Sequence, residues 1–191
     1  VSPARARTSF AAIVGAGRAL LETRGLDAVT MQAVAAAVGV RAPSLYKRFA
    51  GRQALVRAIA DDVAAELVAA TAPALEIEDP AEAVRVLADC YRAFAHRSPG
   101  AYQLLFTRLP PDANRTVEAN AAAAAGLLAL TERLVGRERA LEAARLLTAF
   151  AHGFVGMELA GAFRLGGDVD EAYRFAIESI IEGLGVTGSR R

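Results

Sequence analysis

Apolar residues recur at three- and four-residue spacings along almost the whole chain, and no stretch alternates as a half-buried strand would. Such a pattern is satisfied by helices stacked on helices. Glycine and proline mark where each helix must stop. The first helix is expected from about Thr8 to Arg24, with Phe10, Ile13, Val14, Gly17, Leu20 and Leu21 on one face and Gly25 as its stop. Thr30 can cap a short second helix, Met31 to Val38, which Gly39 breaks. A third, about Ala42 to Phe49, holds Pro43 in its first turn, where a missing N–H costs little. Gly51 precedes a long fourth helix ending near Pro73. Asp79 before Pro80 opens a fifth, reaching about His96, and Ser98-Pro99 opens a sixth that stops at Pro110-Pro111. The seventh runs from about Asp112 to Val135, including the alanine run Ala121 to Ala125, and the eighth from about Arg137 to Leu165. Asp168 opens the last helix, to about Leu184, ahead of a frayed tail from Gly185 to Arg191. The expected fold is all-α, with about nine helices.

A chain of 191 residues can form one large or two small domains, each with a buried core. Charges interrupt every apolar run before it reaches the roughly 18 to 20 residues that span a bilayer, so no membrane partner is expected. Val1 to Arg7 lacks the apolar stretch and cleavage site of a secretory leader, and the chain reads as cytoplasmic. Cys90 is the single cysteine, so an internal disulfide is excluded; it reads as a small core residue. The net charge of +1 conceals a division. Residues 1–57 carry nine basic residues and two acids, whereas the remainder is acidic overall. A basic N-terminal part on an acidic body suits a nucleic-acid-binding head on a body that does not touch nucleic acid.

The segment Thr30 to Phe49 sharpens that reading. Two short helices flank a turn centred on Gly39. Ala33, Val34, Ala37, Val38, Val40, Leu45 and Phe49 suit the inside of such a unit, leaving Arg41, Ala42, Pro43, Ser44, Tyr46, Lys47 and Arg48 toward the exposed side. A second helix of this kind fits the major groove, with its N-terminal residues toward base edges. The stretch from Ile13 to Ile59 resembles the TetR family of bacterial repressors. The resemblance is carried by Glu22-Thr-Arg-Gly25, Thr30, Val34-Ala35, Gly39-Val40, Ser44-Leu45-Tyr46, Phe49 and Arg52-Gln-Ala-Leu55. It implies an N-terminal three-helix, helix-turn-helix DNA-binding domain over 1–57. It also implies a helical-bundle ligand-binding and dimerisation domain over 58–191. By the same resemblance Thr30 and Tyr46 bond phosphates, and Arg52 stands where the family usually has a phosphate-binding lysine. Ala42, Pro43, Ser44 and Lys47 stand where members touch bases, and Arg48 at a position that is often histidine. Arg41 departs from the family: it replaces the serine or threonine common at the recognition-helix cap. That substitution either weakens the cap by about 1 kcal/mol or adds a DNA contact.

The body carries a second resemblance. Ala151-His152-Gly153, then Glu158-Leu159 and Asp168 to Leu184, is similar to the C-terminal domain of a TetR subgroup named for a Trp-His-Gly motif, although the tryptophan is absent here. In that family the body binds a small effector and its last two helices form the dimer. Independently of the family, Ala149, Gly153, Gly156 and Ala160 make a small-residue stripe on the eighth helix. Ala172, Phe175, Ala176, Ser179, Ile180 and Gly183 make a candidate matching face on the last. Two such helices from each chain would form a four-helix bundle in a homodimer. Most of the body's aromatics, Tyr91, Phe94, Tyr102, Phe106, Phe150 and Phe154, fall with Met157 on the fifth, sixth and eighth helices. With Asn120, His152 and Glu158 as polar groups, they are the candidate contacts for a small hydrophobic effector. Plain core packing is the competing reading for each aromatic, and a hydrogen-bonded core histidine the competing reading for His152. His96 is accounted for by its place at a helix end.

Little points to catalysis. Gly15-Ala-Gly17 lacks both the third glycine and a preceding strand, so it is no nucleotide loop. Two histidines and one cysteine far apart give no metal pattern, and no cofactor is expected. Asn114-Arg-Thr116 fits a glycosylation sequon that has no meaning in a cytoplasmic protein. The reading is a repressor that binds palindromic, double-stranded operator DNA as a homodimer and is released by a small apolar or aromatic ligand. The alternatives are a regulator of the same fold without ligand response, or an activator. The fourth helix joins head to body. Its displacement by a ligand would alter the spacing of two recognition helices that operator half-sites require to be roughly 34–36 Å apart.

Overall fold

The computed structural model describes residues 9–114 and 117–188. The described residues contain no strand and eight α-helices: α1 Phe10–Arg24, α2 Met31–Ala37, α3 Arg52–Thr71, α4 Pro80–Arg97, α5 Pro99–Phe106, α6 Val117–Val135, α7 Ala140–Leu159 and α8 Val169–Gly188. None of them is long and apolar enough to cross a membrane.

The helix starts follow their caps. Ser9 accepts the N–H of Ala12, Thr30 that of Ala33, and Asp168 those of Asp170 and Glu171. The stop of α2 is a Schellman closure: Gly39, at φ 72°, donates to Ala36 O while Val40 donates to Ala35 O. The same closure ends α7 earlier than the sequence predicts. Gly161, at φ 62°, donates to Glu158 O and Ala162 to Met157 O, so the helix stops at Leu159 and not at Leu165. The last helix runs through Gly188, beyond the expected Leu184; residues 189–191 of the expected frayed tail, like Arg115 and Thr116 of the sequon, lie outside the described residues.

One expected helix is absent. Ala42–Ser44 forms a 3-10 turn, and residues 45–48 continue as turn. Arg41 offers no side-chain cap and Pro43 no N–H, so the ladder opens on i+3 bonds, Ser44 N–H to Arg41 O and Leu45 N–H to Ala42 O. The count therefore falls one short of nine.

Packing divides the chain into two compact units, residues 1–66 with 98–120, and residues 67–97 with 121–191. The core of the first joins Ile13, Val14 and Leu21 of α1 to Val34 and Ala35 of α2, Leu45, Phe49, and Leu55, Val56, Ile59 and Val63 of α3. Ala37, expected inside, is exposed; the buried residues of α2 are Met31, Val34 and Ala35, with buried Val38 just beyond its end. Gly17 allows the close approach of α1 to α3, because a Cβ there would lie 2.5 Å from Ile59 Cδ1. Beside it Arg18 pairs with Asp62 at 2.9 Å and with Glu66. The carboxylate of Glu22 accepts the N–H groups of Gly100 (2.9 Å) and Ala101 (2.7 Å), two donors at the N-terminus of α5 that no helical carbonyl can reach. The core of the second unit is built from Ala83, Val84, Ala88 and Phe94 of α4, Leu130 of α6, Ala143, Leu147 and Val155 of α7, and Tyr173, Ile177 and Ile181 of α8. Tyr173, fully buried, donates its hydroxyl to Ala88 O at 3.0 Å.

Candidate nucleic-acid interface and effector site

The helix-turn-helix is held from inside by Leu45 and Phe49. Leu45 is 0 % exposed and Phe49 stacks on Phe10 at 5.3 Å. With these two residues buried, Arg41, Pro43, Ser44, Tyr46, Lys47 and Arg48 are all exposed, and Ala42 is half-buried. Tyr46 presents 56 % of its surface to solvent. No acidic residue occurs between Asp27 and Asp61, so the positive charge of Arg41, Lys47 and Arg48 meets no opposing local charge in sequence. The arrangement is a small cationic surface with an aromatic hydroxyl and the Ser44 hydroxyl among the charges, suited to phosphate oxygens and base edges. Arg41 makes no side-chain capping bond.

At the edge of this surface Thr30 accepts the Ala33 N–H at 3.1 Å through its hydroxyl oxygen, which leaves the hydroxyl proton to be donated outward. Arg52, at the start of α3, is already engaged. Its Nε donates to Val29 O and its Nη2 to Leu26 O, both at 2.7 Å.

In the second unit a solvent-open cleft of about 340 Å³ is lined by Asp89, Arg92, Ala93, His96, Glu158 and Asp170. Arg92 grips Glu158 through two bonds, Nε to Oε2 at 2.9 Å and Nη2 to Oε1 at 2.5 Å, and also donates to Asp170 at 2.6 Å. His96 Nε2 lies 2.9 Å from Glu158 Oε2. The Arg92 hydrogen bonds hold the Glu158 carboxyl below the usual range, against the opposing effect of burial. Burial raises Asp89 and the Cys90 thiol, and lowers His152. Of the ten expected effector contacts, Glu158 alone lines this cleft. Phe150 and Phe154 instead belong to an aromatic cluster with Tyr173 and Phe163, at centroid distances between 4.7 and 5.8 Å. Tyr91 and His152 are half-buried, Met157 is exposed and Phe94 fully buried. In the first unit Tyr102 is buried against Phe106 at 5.3 Å, and Asn120 is exposed. Arg92, Asp89, His96, Asp170, Phe163 and Tyr173 were not among the expected residues. The signal available was the spacing of Arg92 and His96, one helical turn apart on α4. Among the described residues no three His, Cys, Asp or Glu side chains are placed to hold one metal ion.

The Glu158 pairing has a pH signature. A carboxylate with a depressed folded-state pKa contributes stability above the ordinary glutamate value, about 4.3, and that contribution is lost as pH falls through the folded value. Thermal midpoints measured from about pH 6 down to about pH 3 should fall more steeply for the wild type than for Glu158→Gln. Parallel curves would show that the pairing adds no pH-dependent stability.

The two faces expected to pair between chains are uncovered in the protomer. Ala149 and Gly153 of α7, Ala160 at its C-terminal end, and Ala172, Ser179 and Gly183 of α8 are exposed, while Gly156, Ala176 and Ile180 are half-buried. Phe175 is 73 % exposed. A Cβ added to Gly153, Gly156 or Gly183 meets nothing within 4 Å.

Comparison with known proteins agrees with this architecture. Residues 13–59 match the bacterial regulatory proteins of the tetR family, and residues 84–180 match the tetracyclin repressor-like C-terminal domain. An HTH-type transcriptional regulator of Mycobacterium tuberculosis is 31% identical over 159 residues, which cover 82% of this chain and 72% of that protein. The HTH-type regulator YobS of Bacillus subtilis is 26% identical over 90% of each chain. Among solved structures, a Rhodococcus protein of unknown function superposes with a TM-score of 0.80 at 26% identity, covering 91% of this chain and 93% of that one. A TetR variant from Acinetobacter baumannii, solved in complex with minocycline, superposes with a TM-score of 0.71 at 22% identity over 95% of this chain and 98% of that one. A helix-turn-helix with an exposed cationic face, followed by a helical C-terminal domain and matched along both parts, identifies the chain as a member of the TetR family of bacterial transcriptional regulators.

Proposed function

We propose that the protein is a repressor that binds a palindromic operator as a homodimer and leaves it when a small apolar or aromatic effector binds. The observation that carries this reading is the exposed cationic surface built on buried Leu45 and Phe49. In it Ala42, Pro43, Ser44 and Lys47 face base edges, while Thr30 and Tyr46 hold phosphates; Arg41 and Arg48 add charge on the same side. DNA contact belongs to residues 1–57, and effector binding and dimerisation to 58–191. The half-exposed aromatic cluster around Phe154 favours an apolar or aromatic effector. The minocycline bound by the Acinetobacter baumannii relative is a precedent for a small molecule on this fold. The uncovered faces of α7 and α8 supply the dimer contact. A protein acting on chromosomal operators works in the cytoplasm.

The test is selection of bound sequences from random DNA. A two-fold-symmetric site should be recovered, and binding should weaken steeply with salt as phosphate counterions are released. Recovery of no sequence, or of an asymmetric one, would refute the reading. On the selected site Lys47→Ala should relax preference at one or two positions per half-site, at roughly 1–3 kcal/mol. Tyr46→Phe should weaken binding to all sequences alike, because a phosphate contact carries no base information. A changed site preference in Tyr46→Phe would reassign that side chain to base readout. Phe154→Ala should shift the ligand concentration needed for release and leave ligand-free binding intact. Operator DNA must in turn weaken ligand binding by the same factor.

A further inference from the structure

We propose that Arg52 is a positioning residue for the connection that carries Thr30 into α2. The proposal rests on the DNA-binding reading above. A lysine in this place would offer one flexible cation to a phosphate. The guanidinium here stays solvent-exposed and gives two of its five N–H groups to main-chain carbonyls of the head. Nε donates to Val29 O and Nη2 to Leu26 O, each at 2.7 Å. The two acceptors lie on the connection between α1 and α2, where Leu26–Ala28 makes a 3-10 turn. Val29, with a fully buried side chain, is followed directly by Thr30, the cap of α2. The connection is therefore pinned twice, from inside by the Val29 side chain and from the α3 side by a planar two-pronged donor.

The consequence falls on the atoms that face DNA. The Thr30 hydroxyl, a phosphate contact in the reading above, is presented from the end of this connection. Arg52 occupies the Leu26 and Val29 carbonyls and fixes the rotation at which Thr30 enters α2. A parallel pair of bonds from one fork is geometry that an ammonium group does not reproduce, so lysine is not a conservative replacement here.

Arg52→Lys and Arg52→Gln, alone and combined with Thr30→Ala, test this on the full-length protein. Without DNA, hydrogen exchange should quicken in Arg52→Lys at the amides of Ala33 and Val34, which are bonded to Thr30 Oγ1 and Thr30 O. On the selected operator Arg52→Lys should bind about tenfold more weakly, although its charge is unchanged. Thr30→Ala should then cost less in the Arg52→Lys background than alone, since both act through one helix terminus. Affinity of Arg52→Lys within about twofold of wild type would show that the two-pronged clamp is not needed for DNA binding and overturn the proposal. A lowered thermal midpoint with unchanged affinity would also overturn it, by reducing Arg52 to a stabilising contact. If the wild type selected no DNA sequence at all while exchange still quickened in Arg52→Lys, the DNA-binding reading would fail and the clamp would stand.

Discussion

Replacing Gly153 with leucine is expected to leave the protomer folded and to abolish the proposed dimer. Within the protomer a side chain at this position enters open space. Leucine is also a better helix former than glycine, by roughly 0.8–1 kcal/mol, so the substitution should not unfold α7. Across an interface of small residues it would hold a partner helix away. Phe175→Glu makes the complementary test on α8. The ring is 73 % exposed, so a carboxylate costs the monomer little but cannot be buried between two chains without a partner. Each variant should sediment as a monomer with wild-type helix content. Operator affinity should fall by about 10²–10⁴, because a monomer engages one half-site and loses the effective concentration that links the second. If both variants sedimented as dimers, the interface would lie on other helices.

The second large effect is expected at Leu45. It is 0 % exposed and sits where the backbone is held by a 3-10 turn and a few turn bonds in place of a helical ladder. Side-chain burial is therefore what keeps Ser44, Tyr46, Lys47 and Arg48 in one surface. Leu45→Ala should cost about 2–5 kcal/mol by the lost transfer energy and the cavity left behind. It should also weaken operator binding at temperatures where the remaining helices persist. Tyr46→Ala, at the exposed neighbour, should change stability by no more than about 0.5 kcal/mol while weakening DNA binding. A Leu45→Ala protein with a wild-type thermal midpoint would show that the segment is held by its backbone alone.

These contrasts separate what was legible in the chain from what was not. Where a helix begins or ends through bonds spanning three to five residues, the residue types announce it. Ser9 and Thr30 accept the first N–H groups of α1 and α2, Asp168 those of α8, and Gly25 and Gly39 close α1 and α2. The basic N-terminal third and the exposed positions around Tyr46 were readable for the same reason, since buried Leu45 and Phe49 are one helical turn apart. Glycine alone could not say which of three would end α7. Gly153 and Gly156 remain helical, and only Gly161 turns to positive φ. The choice depends on where the chain must turn back toward α8.

The charged groups divide along the same line. Arg92 finds Glu158 and Asp170 across 66 and 78 residues, and Arg52 finds Val29 and Leu26 across 23 and 26. Composition gave the sign of each charge but not its partner. Aromatic residues at helical spacing were equally ambiguous: packing buries Phe94 and Tyr102 completely and leaves Phe154 half-buried beside Phe163. The sequence by itself determined an all-helical chain with a cationic helix-turn-helix, because those properties follow from bonds and periodicities within a few residues. Only the tertiary structure decided that Arg52 bonds the Leu26 and Val29 carbonyls and that Glu158 is locked to Arg92. It also decided that the faces of α7 and α8 stay uncovered in the protomer, because long-range partners are set by how helices pack against one another.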